Sequence, residues 1–378
     1  MIVVIGAGLI GLGIAYELRS RGADVRVIET AEPGAGASWA GAGMLAPYSE
    51  DIADEPFERL CADSLARYPA FVEALRARGG VDARLRLDGI LEAAFDDAGE
   101  ARLRGDVARR VARGIASQWL EPRDAHLLEP ALRASVRGGA YSPTEGHVDN
   151  RRLGRALRAA CEALGVRIEA FAGPVALEAD VRRALGVRGR SGFIAADAVV
   201  NATGAWAGAL AGVPASARVP VTPIKGQMLA IAIPRGLVRR VLWIPGAYLV
   251  PRDDGRLLVG ATVERAAFDV RVTAQGIRTL LDAALDAIPA LGNFALAETW
   301  AGLRPGTPDE LPYLGATELG GYFLATGHYR NGILLTPVTA HLVADAIEGK
   351  AGAAAALAPF GLARSARASV ALAMEPAC

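Results

Sequence analysis

Lysine is almost missing from this chain. Only Lys225 and Lys350 stand among 41 basic residues, and 41 acidic residues balance them, so the net charge is zero. No overall basic field favours nucleic acid or an anionic membrane, and the expected partners are small molecules. Cysteine is scarce as well: Cys61, Cys161 and Cys378 are odd in number, far apart and without metal-ligand or redox spacing. A reducing, cytoplasmic setting fits that pattern. Long apolar runs are also lacking. Residues 2–15 are apolar, but no basic segment precedes them and glycines interrupt them, so they read as a buried strand entering a helix rather than a secretory core. Residues 351–358 fall far short of the roughly 20 needed to span a bilayer, and no membrane segment is expected. His126, His147 and His341 have no mutual spacing that would make a metal site and are expected at the surface or on helices. Neither a nucleophile elbow nor a Walker loop occurs.

What is present begins with a βαβ unit. Residues 2–5 read as a fully buried strand, 9–21 as a helix with Ile10, Ile14 and Leu18 at helical spacing and Gly22 as its stop, and 24–29 as a second strand. Helices are expected over 55–78, 98–115, 150–164 and 273–288, and a terminal helix over 332–348. Strand signals lie within 85–95 and at 166–170, 176–179, 192–196, 198–200, 226–233, 241–251, 256–262 and 322–326. The fold class that follows is α/β: a Rossmann-like nucleotide-binding domain with an α+β, β-rich substrate domain inserted between its segments. The expected division is 1–80, 145–215 and 301–348 for the first, 81–144 and 216–300 for the second, and an Ala-rich tail over 349–378.

Gly6-Ala-Gly8-Leu-Ile-Gly11 sits between the first strand and the first helix, with Glu29 at the end of the next strand. Gly6 permits the tight turn, Gly8 lets the backbone approach a pyrophosphate, and Gly11 allows close helix-to-strand packing. The helix N-terminus offers free N–H groups to the anion, and Glu29 would accept from ribose hydroxyls. This constellation reads as a dinucleotide site, without choosing between NAD and FAD. Residues 34–45 form a long small-residue stretch able to wrap an extended cofactor. Arg304 and Arg330 lie in Gly-rich, apolar surroundings where a guanidinium needs an anion. A substrate carboxylate and a structural ion pair both satisfy that need.

Three separated stretches in order, 34–45, Trp300-Ala-Gly-Leu-Arg304-Pro-Gly-Thr307 and Gly327-His-Tyr-Arg330-Asn-Gly-Ile-Leu-Leu335, resemble the glycine oxidase family of the D-amino acid oxidase group, over residues 1 to about 348. The resemblance implies FAD, with Leu9 and Ile10 in the glycine turn, Glu29 and Thr30 at the ribose, and Ala37 and Ser38 near the pyrophosphate. It places Ala42, Gly43 and Met44 near the flavin and Val175 at the adenine. The run His328, Tyr329, Arg330, Asn331, Gly332, Ile333 and Leu334 would line the isoalloxazine. A helix starting near Gly332 would aim its positive end at the flavin edge that gains charge on reduction. Arg304 and Tyr248 would bind the substrate carboxylate, with Arg330 close by and no obligatory side-chain base.

By the resemblance, a member of that family carries histidine and methionine where Gly246 and Val263 stand, which makes these two, with Met44, the specificity candidates. With no cysteine between residues 162 and 377, the FAD is expected to be non-covalent. The activity implied is oxidative deamination of glycine or another small amine, such as sarcosine or a D-amino acid, by hydride transfer to the flavin. Dioxygen would be the second substrate, thiamine thiazole synthesis the use of the product, and the chain a homo-oligomer. Oxidation of larger D-amino acids or proline derivatives is the alternative chemistry. An FAD-binding subunit without turnover is the alternative class, against which Arg304, Tyr248 and Arg330 speak.

Overall fold

The computed structural model describes residues 1–50 and 52–364, so Cys378 and the rest of residues 365–378 of the expected Ala-rich tail lie outside the described residues. The architecture is mixed α/β. Six strands order as Tyr313–Ala316, Tyr322–Thr326, Ala198–Asn201, Ile2–Ile5, Val25–Ile28 and Arg167–Glu169, parallel except for the outermost pair Tyr313–Ala316 with Tyr322–Thr326. Ile2–Ile5 is covered on both faces, which is why it reads as an unbroken apolar run. Val4 and Val200 pack with the helices Leu9–Ser20, Glu55–Gly79, Asn150–Ala163 and Thr336–Ile347. Val3, Ile5 and Val199 pack with an antiparallel three-stranded sheet of Ala176–Ala179, Ala184–Gly189 and Gly192–Ala195.

The second sheet has eight strands, in the order Leu296–Gly306, Thr222–Ala232, Arg256–Gly260, Ala247–Pro251, Val241–Ile244, Ile90–Ala94, Gly138–Ser142 and Gln118–Leu120. Alternation along its strands sends side chains to two destinations. Leu229, Ile231, Leu249, Leu257 and Val259 go to the core beneath the helix Ala274–Ala287, whose N-cap Thr273 accepts from the N–H of Gly276. Met228, Ala230, Val250 and Leu258 go to a second apolar layer that also contains Ala40 and Ala42. The small-residue loop of the nucleotide-binding part therefore rests on the inner face of this sheet. Among the described residues no helix is long and apolar enough to cross a membrane.

The structure departs from the sequence reading at definite places. The terminal helix begins at Thr336, not Gly332. Residues 332–335 are turns, and Pro337, without an N–H, is suited only to a helix's first turn. The segment 241–251 is two strands, because Gly246 takes φ +81° and turns the chain into a hairpin. The strand Leu296–Gly306 pairs with Thr222–Ala232 along its length, so the expected boundary between residues 300 and 301 falls inside one strand. Past the expected end at 348, Leu357 and Phe360 are buried in the helical core, and Arg364 pairs with Asp309 at 2.8 Å.

Candidate active site

A cavity of about 790 Å³ runs from the glycine turn to the inner face of the eight-stranded sheet. All of the expected cofactor residues line it except Gly11, Asn331 and Leu334, and Arg304, Tyr248, Gly246 and Val263 join them. Gly11 lies behind the turn: a Cβ there would stand 1.9 Å from the carbonyl oxygen of Gly6. Leu334 is buried, with its carbonyl accepting from Ser64 Oγ at 2.6 Å. Asn331 faces a neighbouring cavity.

The nucleotide end fits an anionic, extended ligand. Gly6 has φ +104°, in the region that favours glycine, and the N-cap of the helix Leu9–Ser20 is Gly8, which has no side chain to cap it. The Leu9 N–H donates to Ser38 Oγ at 2.9 Å, which ties the helix start to the loop. Glu29 accepts from the N–H of Ala7 at 2.7 Å through one oxygen and from that of Ala31 at 3.0 Å through the other. Its carboxylate thus braces the glycine turn while lining the cavity. His328, buried and 3.1 Å from Thr339 Oγ1, has its pKa pushed down to about 3 by burial, and so presents a neutral ring.

The loop over the middle of the cavity is held by its carbonyls. Asn150 Nδ2 donates to the carbonyls of Ser38 at 2.8 Å and Trp39 at 3.0 Å, and Trp300 Nε1 to that of Ala40 at 2.9 Å. Arg252 Nη2 donates to the carbonyl of Ala42 at 2.7 Å and to Asn150 Oδ1 at 2.9 Å. Arg252 is 7% exposed and, among the described residues, has no carboxylate within ion-pair distance. Burial pushes its pKa down to about 10. Gly43, at φ +75°, is pressed so close to Val148 that a Cβ would lie 1.9 Å from its carbonyl oxygen.

At the far end, the guanidinium of Arg304 lies across Gly226, whose hypothetical Cβ would stand 2.3 Å from Arg304 Nη1. That nitrogen donates to the Thr262 carbonyl at 3.1 Å, and no protein carboxylate pairs with the group among the described residues. Of the two readings open for Arg304, the structural ion pair is therefore absent among the described residues, and its remaining donors are left for an anion. Tyr248 packs over Gly260 beside it. Burial raises the Tyr248 phenol while Arg304 opposes the rise, so the hydroxyl keeps its proton and stays a donor. Arg330 is exposed at the mouth, its guanidinium carbon 4.9 Å above the Tyr329 ring.

Three site features escaped the sequence reading. Glu50 lines the cavity, and burial lifts its carboxyl above the usual range despite a hydrogen bond with Asn331 and the charges of Arg330 and Arg304. No periodicity or motif marks it. Trp206 also lines the cavity, stacked on Phe268 at 5.7 Å. Arg252 and Asn150 hold the loop from outside it. His147 corrects an expectation: it is neither on a helix nor at the surface but buried in the short strand Gly146–His147, paired with Met44. Among the described residues no group of His, Cys, Asp or Glu could hold a metal.

A helix start with glycine at its N-cap, a turn with no space for a Cβ and a far wall with a guanidinium lacking a carboxylate partner among the described residues define a dinucleotide-binding protein whose cofactor would end against an anion. Comparison with known proteins makes the class specific: the chain belongs to the FAD dependent oxidoreductase family, which it matches over residues 1–346. It is 41% identical over 352 residues to the bifunctional protein ThiO/ThiG of Synechocystis sp., covering 92% of this chain and 51% of that one, so it spans about half that relative's length. It is 38% identical to the glycine oxidase of Geobacillus kaustophilus, covering 96% of each. A crystal structure of glycine oxidase from Geobacillus kaustophilus superposes with a TM-score of 0.89 at 37% identity, over 96% of this chain and 97% of that one.

Proposed function

We propose that the chain is an amino acid oxidase that removes hydrogen from the α-carbon of a small amine, glycine foremost, giving an imine that water hydrolyses to an oxo acid and ammonia. The observation that carries this reading is Arg304, a cavity-lining guanidinium with no ion-paired carboxylate among the described residues, beside a protonated Tyr248. Bound FAD would supply the hydride acceptor and, on reoxidation by dioxygen, hydrogen peroxide. It would be held by the turn at Gly6 and Gly8, by Glu29 and by the loop around Ser38 and Gly43. Non-covalent binding is supported by Cys61 and Cys161, both buried in the helical core away from the cavity.

The protein's own part is positioning. Arg304 binds the carboxylate through its fork and Tyr248 donates to it, which fixes the α-carbon and leaves the amine free to react in its neutral form. Holding reacting atoms at roughly 3–3.5 Å replaces a chance encounter, so no side-chain base is required. A second reading, oxidation of larger D-amino acids or proline derivatives, is favoured by Gly246, around which the nearest atom to a hypothetical Cβ is 3.7 Å away, and by Val263, which is 52% exposed. Use of the product in thiamine thiazole formation, homo-oligomerisation and a cytoplasmic location rest on family resemblance.

The test is anaerobic addition of glycine, sarcosine, D-alanine and D-proline to the FAD-loaded protein. Bleaching of the flavin band by glycine, lost in Arg304→Ala and reversed by air with release of peroxide, is the expected result. Bleaching by bulkier amines alone would transfer the assignment to the second reading, and no bleaching by any of the four would overturn both.

A further inference from the structure

A second concavity lies on the other side of the cofactor loop. It has a volume of about 1370 Å³ and shares Glu32, Gly34, Ala35 and Ser38 with the cofactor cavity, so the same loop has one face in each. Ten arginines line it; Arg84, Arg86, Arg151, Arg158 and Arg256 are ion-paired, and the other five have no carboxylate within ion-pair distance among the described residues. Those unpaired guanidinium groups are brought together here by the fold. The helix Asn150–Ala163 contributes Arg155 from one side, and the turn after the strand Thr222–Ala232 contributes Arg235 from the other. Among the described residues neither side chain makes a hydrogen bond or ion pair.

The floor is a built surface. Arg252 and His147 are both more than nine-tenths buried, and Arg252 Nη1 and His147 Nδ1 have no hydrogen-bond partner among the described residues. The field there is positive by an independent sign: besides burial, both Arg252 and Arg86 push the His147 pKa down, well below its ordinary value. A buried guanidinium nitrogen without a partner, as at Arg252, is costly unless an anion meets it.

We propose that this cleft is a binding site for a small oligophosphate anion, seated between Arg155 and Arg235 against the outer face of the cofactor loop. A single carboxylate would occupy one guanidinium fork, whereas a di- or triphosphate presents several oxygens to the unpaired forks of both walls. A concave site of this size suits a small ligand rather than a flat macromolecular face. The inference is independent of which amine the enzyme oxidises.

The probes are inorganic pyrophosphate and ADP, titrated by calorimetry into the FAD-loaded protein so that the cofactor's own site is filled. Both should bind saturably, one per chain, and the Arg155→Glu/Arg235→Glu variant should bind about tenfold or more weakly while keeping its FAD and its reduction by saturating amine. Tighter binding of ADP than of pyrophosphate assigns the source to a nucleotide, and equal binding assigns it to the phosphates alone. The proposal fails if neither probe binds saturably, if the double charge reversal leaves affinity unchanged, or if only a long polyanion such as heparin binds.

Discussion

Arg252 and Ala42 are 210 residues apart in the chain, yet a guanidinium nitrogen of the first lies 2.7 Å from the carbonyl of the second. The bond fastens the cofactor loop to the end of the strand Ala247–Pro251, and Asn150 extends the clamp to Ser38 and Trp39. The loop carbonyls are drawn outward.

Replacing Arg252 with methionine removes this clamp and also a buried cation with no carboxylate at ion-pair distance among the described residues. FAD affinity should fall about tenfold or more, read from the fluorescence of released flavin, because a loosened loop must be reordered on binding. The apoprotein's melting temperature should hold or rise, since an unpaired buried charge is gone. Asn150→Ala should weaken FAD similarly without that gain. Equal melting losses in apo and holo protein, with unchanged FAD affinity, would show a role in the fold alone.

Gly226→Ala tests the carboxylate site without touching its donors. The added Cβ would meet the far end of the Arg304 side chain at 2.3 Å, so the guanidinium must shift and the backbone need not. Roughly tenfold to a hundredfold loss in kcat/KM, about 1–3 kcal/mol, is expected with FAD binding intact. Steady-state kinetics with glycine decides it. An unchanged kcat/KM would remove Arg304 from the carboxylate.

Gly246→His narrows the entrance where the structure leaves open space. The substitution should cost about 1 kcal/mol in stability, because φ +81° disfavours a side chain. Oxidation of D-proline relative to glycine should fall. A ratio that does not move would mean that Gly246 does not face the substrate.

The contribution of Glu145 to stability should fall as pH rises from 5 to 8, against the opposite contribution of the neutral buried His147 and His328. Buried Glu145 accepts from the N–H groups of Tyr48 and Ser49 and from the Ser49 hydroxyl. Burial outweighs these bonds and pushes its pKa up to about 7, against an ordinary value of 4.5. Between those values the folded chain binds more protons than the unfolded chain. The stabilisation is therefore complete below about 4.5 and is lost as pH rises through about 7, a change on the order of 3 kcal/mol. Glu129, also raised to about 7 by burial, adds in the same direction. Urea unfolding of wild type and Glu145→Gln across this range should show a difference in stability that shrinks as pH rises, and a difference independent of pH would exclude Glu145 as a titrating group here.

The sequence by itself determined what depends on neighbours along the chain. The first strand, helix and strand were legible because their periodicities differ, and Gly6 because a tight turn needs its φ. The helices Glu55–Gly79, Asn150–Ala163 and Ala274–Ala287 fell close to their expected bounds because caps and apolar spacing are local signals. Arg304 stood out by its Gly-rich, apolar surroundings, but its carboxylate role and that of Tyr248 came from resemblance, since nothing nearby in sequence says what a strand's arginine will face. Tertiary structure alone decided the rest. Glu50 enters the cavity, Gly226 makes space for Arg304, and Arg252 reaches Ala42 only because two sheets meet across the small-residue loop. Each of those contacts joins residues far apart in the chain, and the packing of distant surfaces leaves no period or spacing in the sequence.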